Sequence, residues 1–175
     1  MTPHLIFLIG LPGSGKSFLA EQLTQQHLGQ VLISTDAIRA KLFGNESIQG
    51  AWRPIHLEIQ DQMRRAVQEI SQVRSPIAPY GATYDATNTR RKNRRATLRL
   101  ARSLGFRQIT GIWVDTPLAL CLERNRNRDR QVPEDVIQRM HRQLRSAPPS
   151  LSDGLDYLKR YTWTLSNERG TRDEA

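Results

Sequence analysis

The segment that most constrains this chain is GLPGSGKS, from Gly10 to Ser17, which directly follows the apolar run Leu5 to Ile9. A continuous apolar, β-favouring run with no polar alternation predicts a strand buried on both faces, the environment of a parallel sheet covered by helices. The segment after it satisfies G-x-x-x-x-G-K-[ST], and Lys16 to His27 reads as a helix with Leu19 and Leu23 on one stripe. A glycine turn between a buried strand and a helix start lets backbone N–H groups converge on an anion. Lys16 is then placed to reach the β- and γ-phosphates of ATP, and the Ser17 hydroxyl to ligate Mg²⁺. The candidate nucleotide-binding residues are Gly10, Pro12, Gly13, Ser14, Gly15, Lys16, Ser17 and Phe18. The dinucleotide fingerprint G-x-G-x-x-G is not met, because Phe18 stands where its last glycine would fall. That sets NAD and FAD aside.

The pattern of strand then helix continues along the chain. Val31 to Ile33 reads as a strand, Ala37 to Phe43 as a short helix, and Gly44 to Trp52 as a loop. Pro54 to Val73 is a long amphipathic helix carrying Ile55, Ile59, Met63, Val67 and Ile70. Ile77 to Tyr84 supplies a third strand. Asn93 to Leu104 is a helix with Ala96, Leu100 and Leu104 on one side and Arg91, Arg95 and Arg102 on the other. Gln108 to Val114 is a fourth strand and Pro117 to Arg124 a helix, followed by the connection Asn125 to Gln131. Pro133 opens the next helix, with Val136, Met140 and Leu144 as its stripe. Tyr161 to Leu165 is a last strand. Strands alternating with helices at this spacing predict an α/β fold, an open, mostly parallel sheet with helices on both faces.

Composition narrows the setting. A chain of 175 residues, 38% of them hydrophobic, fits one domain with a real core. We expect it over residues 1–165, with a polar tail over 166–175. A single cysteine, Cys121, excludes an internal disulfide and points to a reducing, cytoplasmic compartment, with the thiol as inert core. The apolar opening His4 to Ile9 is too short to span a bilayer and lacks a basic leader, so no membrane or signal peptide is expected. Nothing implies a protein partner, and the four histidines have no zinc spacing. The net charge of +9 is polarised: residues 1–89 balance, while Arg90 to Arg107 holds eight bases and no acid. That fits either a polyanionic partner or a solvated basic face.

Asp36 lies just past the second strand, at the sheet edge where ligands collect in open α/β folds. There it could take the proton of an attacking hydroxyl, with Arg39 one turn on holding an anionic group. It would equally serve as a helix N-cap. Asp85, ending the third strand, could orient Mg²⁺ or substrate, or be a plain turn residue. Metal contact through water from Asp36 or Asp85 stays open. The run Glu123 to Arg130 holds arginines at 124, 126, 128 and 130 and reads as a mobile lid over the triphosphate, or as an exposed connection. Trp52 beside Arg53 either stacks on a base or packs on the core.

Taken together, GLPGSGKS, STDAIR, YDATNTRRKNRRATLRLA and VDTPLALCLERNRNRDRQVPEDVIQRM resemble the phage-type polynucleotide 5′-hydroxyl kinase domain and its small P-loop relatives, over residues 4–165. The resemblance implies a P-loop fold, ATP and Mg²⁺, and transfer of the γ-phosphate to a DNA or RNA 5′-OH. It implies that Lys16 and Ser17 bind phosphates and Mg²⁺, that Asp36 is the general base, and that Arg39 holds a neighbouring substrate phosphate. Asp85 falls on a position needed for kinase function there, and Arg124 and Arg128 match two lid arginines. Arg126 and Arg130 have no counterpart. The phosphatase portion of some members has none in this sequence, and Asn45 to Trp52 has no match. A small-molecule kinase, or an ATP-binding module without an acceptor, shares the same donor motifs.

Overall fold

Five parallel strands in the order β2-β3-β1-β4-β5 form the frame of the molecule. They are β1 His4–Gly10, β2 Val31–Ser34, β3 Gly81–Asp85, β4 Gln108–Asp115 and β5 Tyr157–Thr162. The helices are α1 Lys16–Gln26, α2 Thr35–Phe43, α3 Trp52–Gln72, α4 Arg91–Leu104, α5 Leu118–Arg126 and α6 Glu134–Ser146, with a short 3-10 helix at Leu151–Asp153. The computed structural model describes residues 2–26, 30–46, 48, 50–72 and 81–162. Val73, the 77–80 part of the expected third strand, the end of the expected last strand and the tail lie outside these residues.

The apolar run forms the central strand, as its pattern predicts. Alternate residues of β1 face opposite layers. Leu8 joins Ala20, Ile112 and Val114 under α1, with Leu19 and Leu23 packed against them. Leu5, Phe7 and Ile9 enter the larger cluster beneath α3, with Ile55, Ile59, Met63, Ala66 and Ile70. Each such fully buried side chain contributes roughly 1.5–3 kcal/mol. Ala66, not Val67, completes the buried stripe of α3, and Val67 sits half-buried beside Gly105.

Three expectations need correction. The inward face of α4 is Arg94, Leu98 and Ala101, whereas Ala96 is exposed and Leu100 and Leu104 are only half-buried. The core residue of α6 is Ile137 beside Leu144, with Val136 and Met140 turned partly outward. The last strand begins at Tyr157 rather than Tyr161. As an edge strand with nearly every residue exposed, β5 lacks the apolar run that marks a strand in sequence.

Arg94 explains the rotation of α4. Its side chain is fully buried, and its Nε and Nη2 donate to Asp153 Oδ2 at 3.0 and 2.9 Å. Nη1 donates to the Thr89 carbonyl at 2.9 Å, and Nη2 donates also to the Ala147 carbonyl at 2.8 Å. A guanidinium with its donors so occupied is tolerable in a core where a solvated one would belong outside. Arg91 also reaches Asp153, at 2.8 Å, but from an exposed position.

Removing one partner of the buried pair strands the other charge, at about 3–5 kcal/mol. Arg94→Leu should therefore lower stability by that amount in urea titrations, and Arg91→Ala by no more than about 1 kcal/mol.

Candidate active site

At the C-terminal edge of the sheet the chain leaves β1 toward β2 and leaves β3 toward β4, in opposite directions. This reversal makes the β1–β3 junction the topological switch point, where open α/β sheets place ligands. The chain just past β3 stays joined to β1: Gly10 N donates to Thr87 O at 3.0 Å, and Asn88 Nδ2 to Leu8 O at 2.7 Å. Asn88 adopts φ 51°, alone among the described non-glycine residues in being left-handed, a conformation asparagine tolerates better than most.

The loop from Gly10 to Gly15 has no space for side chains at two of its glycines. A Cβ on Gly10 would lie 2.8 Å from both Ser14 Oγ and Val114 O. A Cβ on Gly13, where φ is 78°, would lie 2.4 Å from Cys121 O. Lys16 opens α1, is only 6% exposed, and its Nζ donates to Leu11 O at 2.8 Å. Burial pulls its pKa down, against the nearby Asp85 carboxylate, which raises it. The first-turn N–H groups of α1 have no acceptors within the helix.

Ser17 Oγ donates to Asp85 Oδ2 at 2.8 Å. Asp85 is buried at the end of β3, and its carbonyl accepts from Thr35 Oγ1 at 3.3 Å. A hydroxyl and a carboxylate side by side at a phosphate loop are the hard oxygens Mg²⁺ takes alongside substrate phosphates. The residues present thus fit a Mg²⁺–triphosphate.

Asp36 is not the N-cap of α2. Ser34 fills that place, accepting from Ala37 N at 3.4 Å, and Asp36 stands in the first turn. Its carboxylate is 41% exposed and gripped on both oxygens, by Arg39 Nη1 at 2.6 Å and by Arg130 Nη1 at 2.8 Å. Arg130 also reaches Glu46 at 3.4 Å. Helix α5 runs through Arg126, so the expected lid 125–131 is helical for its first two residues. Arg126 points away and pairs with Glu134 at 2.7 Å.

One cleft of about 820 Å³ gathers most of the expected residues: Pro12, Gly13, Gly15, Lys16, Ser17, Phe18, Asp36, Arg39, Asp85, Arg124 and Arg128 all line it. Gly10 and Ser14 lie buried behind the lining. Sequence reasoning gave no role to Arg130, Asn88, Arg90, Arg139 or Gln143, all of which line the cleft. For Val136, Arg139, Met140 and Gln143 a signal existed, since helical spacing puts them on one stripe. Arg91 and Arg102 of the basic run are instead tied to Asp153 and Asp156.

Cys121 closes on Gly13 from behind, and burial pushes its thiol up to about 11. At pH 8 about one thiol in a thousand is then thiolate in the folded chain. Iodoacetamide should leave the native protein unmodified at pH 8, react faster as pH rises toward 11, and label the urea-unfolded chain readily.

The site has relatives. The chain is 28% identical to the L-seryl-tRNA(Sec) kinase of Methanococcus maripaludis over 142 residues, 78% of this chain and 51% of the relative. It superposes on a chain of the Pnkp1/Rnl/Hen1 RNA repair complex with TM-score 0.70 at 18% identity, covering 89% of this chain and 47% of that one. A gluconokinase from Sinorhizobium meliloti 1021 gives TM-score 0.57 at 17% identity, covering 94% and 86%. The chain thus spans about half the length of the first two. Among the described residues no helix is long and apolar enough to cross a membrane. An AAA domain family model matches residues 5–147, and the chain belongs to that family, with the five-stranded fold of the small P-loop kinases.

Proposed function

We propose that this protein transfers the γ-phosphate of ATP to the 5′-hydroxyl of a DNA or RNA end. Residues 1–165 form the catalytic unit, and Asp36 is the general base. The observation that carries the reading is the surplus of cations in the cleft. Seven cationic side chains line it: Lys16, Arg39, Arg90, Arg124, Arg128, Arg130 and Arg139. Lys16, Arg124 and Arg128 suffice for a triphosphate, and Arg39 and Arg130 are held by Asp36. Arg90 and Arg139 have no carboxylate of a described residue within 4 Å. A neutral alcohol gives them nothing to do, whereas an acceptor with its own phosphates does. The names of two relatives, a kinase of seryl-tRNA and a chain of an RNA repair complex, support an acceptor attached to nucleic acid.

In this reading the acceptor hydroxyl gives its proton to Asp36 as its oxygen attacks the γ-phosphorus in line, and ADP leaves. Ser17 and Asp85 would hold Mg²⁺, which when bound neutralises charge on the phosphates. Lys16 and the loop amides hold the phosphates as negative charge shifts toward the leaving oxygen. The connection after α5 acts as the lid, bringing Arg128 onto the phosphates beside Arg124 of α5 and excluding water. Arg39 orients the acceptor through its neighbouring phosphate. Phe18, 60% exposed at the cleft, offers a face for the adenine.

With γ-labelled ATP and Mg²⁺, label should pass to oligonucleotides ending in 5′-OH and not to those ending in 5′-phosphate. Lys16→Ala should abolish transfer. Asp36→Asn should retain ATP binding and lose about 10²–10⁴-fold in turnover. Label on gluconate or a free nucleoside, with none on any oligonucleotide, would overturn the polynucleotide acceptor, and near-wild-type turnover in Asp36→Asn would overturn the base.

A further inference from the structure

Trp52 is the largest side chain lining the cleft for which the reaction above has no use. It does not pack on the core, one of the two readings its sequence allowed. It is 57% exposed, whereas Trp113 is 8% exposed beneath the Arg160 guanidinium, which lies 4.6 Å from its ring centroid. Nor does it point to bulk solvent on the outer side of its helix. Trp52 is the first residue of α3 and precedes Ile55 and Ile59 by three and seven positions, so it continues the inward stripe of that helix. The stripe runs out of core at Ile55, and Trp52, the next position of the stripe toward the N-terminus, lines the same cleft as Asp36 and Arg39.

Helix α3, which carries Trp52, is fastened to α2, which carries Asp36. Lys41, on α2 with Asp36 and Arg39, bridges to Glu58 on α3 at 2.7 Å, and Gln62 supports the same carboxylate at 2.9 Å. Buried Ile38 of α2 and Ile55 of α3 share one cluster. The His56 ring backs Trp52 with centroids 6.2 Å apart and planes tilted by 37°. The indole is an apolar, π-rich surface on the wall of a strongly cationic cleft. It offers little to a sugar acid or a simple alcohol, but a flat heterocycle can stack on it whatever its sequence identity.

We infer that Trp52 is the platform on which the base of the acceptor's 5′-terminal nucleotide stacks, positioning the adjoining 5′-hydroxyl at Asp36. The inference rests on the polynucleotide reading and adds to it a determinant on the acceptor side. Arg39, Arg90 and Arg139 meet phosphates, which every nucleotide has, and Trp52 meets the ring.

The test compares two otherwise identical 5′-OH oligonucleotides, one with a normal terminal base and one with an abasic terminal sugar, in wild type, Trp52→Ala and Trp52→Phe. In wild type the base-bearing end should have the lower KM by about 5- to 150-fold (about 1–3 kcal/mol). In Trp52→Ala that ratio should fall toward one while the KM for ATP stays at its wild-type value, and Trp52→Phe should restore most of the ratio. A wild type that phosphorylates both ends with equal KM overturns the platform and leaves the kinase reading standing. A Trp52→Ala variant that keeps the wild-type ratio overturns it too. A wild type that labels neither end overturns the polynucleotide reading itself. If Trp52→Ala keeps the ratio but loses binding to another protein, the residue is a docking point and not a platform.

Discussion

The candidate site depends on β1 and β3 being neighbours in register and remaining bonded for several residues past the sheet. Pairing of Phe7 with Tyr84 sets the level, and the bonds from Gly10 N to Thr87 O and from Asn88 Nδ2 to Leu8 O extend it. That extension brings a serine at the start of α1 within 2.8 Å of an aspartate 68 residues later. If the strands slipped by one residue, Asp85 would turn to the other face of the sheet and the Ser17 contact would be lost. The glycines then follow as consequences. With the strand ends pinned and the carbonyls of Val114 and Cys121 pressed against the loop, only residues without a Cβ fit at Gly10 and Gly13.

Much of this was legible because its causes are local. A buried strand, a glycine turn and a helix start lie within about two dozen consecutive residues, and each has its own signature. The helices α1, α2, α3 and α5 were located to within a few residues for the same reason. The errors came where distant partners decide. Nothing near Arg94 distinguishes it from Arg95; the difference is Asp153, far along the chain, whose carboxylate makes a buried guanidinium tolerable and so rotates α4. Of the stripe expected on α6 only Leu144 is core, because Val136 and Met140, apolar and correctly spaced, line a cleft. Exposed β5 had no pattern to read. Asp36 shows the opposite case. Capping and catalysis ask for the same residue at nearly the same place, and Ser34 occupying the cap removes the first of these roles from Asp36.

The basic run also shows why charge counts mislead at the level of single residues. Read as a block, Arg90 to Arg107 is a polyanion-binding face or a wet surface. The structure divides it. Arg94 is in the core, Arg91 and Arg102 hold the segment before β5, and Arg90 opens onto the cleft. Three of its arginines thus fix α4 and the segment around Asp153. The order of α4 in turn places Arg90, Asn93 and Thr97 along one wall of the cleft. Structural arginines on one side of a helix therefore set the geometry of a cleft-facing arginine at its end.

In the proposed reaction the donor and acceptor sides of the cleft would be built from different kinds of parts, which bears on how such a fold changes substrate. The donor side comes from β1, β3 and the start of α1, where register, glycine sterics and a buried lysine leave little room for variation. The acceptor side comes from α2, α3, α4 and α6: Trp52 lies past the last core residue of its stripe, while the cleft-facing residues of α2, α4 and α6 alternate with the core residues Ile38, Leu98 and Ile137. At exposed positions such as Trp52 and Arg139 a substitution alters the surface without disturbing the packing beneath. Trp52 lies one helical step past Ile55, and Arg139 lies among Val136 and Met140 on the stripe that flanks Ile137. Arg130 joins the two sides, bonding Asp36 on α2 and Glu46 in the loop beyond it from the same connection that carries Arg128. In the proposed reaction, phosphates drawing on Arg128 also pull on the segment that holds Arg130. The proposed donor contact of Arg128 and the observed contact of Arg130 with Asp36 thus lie two residues apart on one connection.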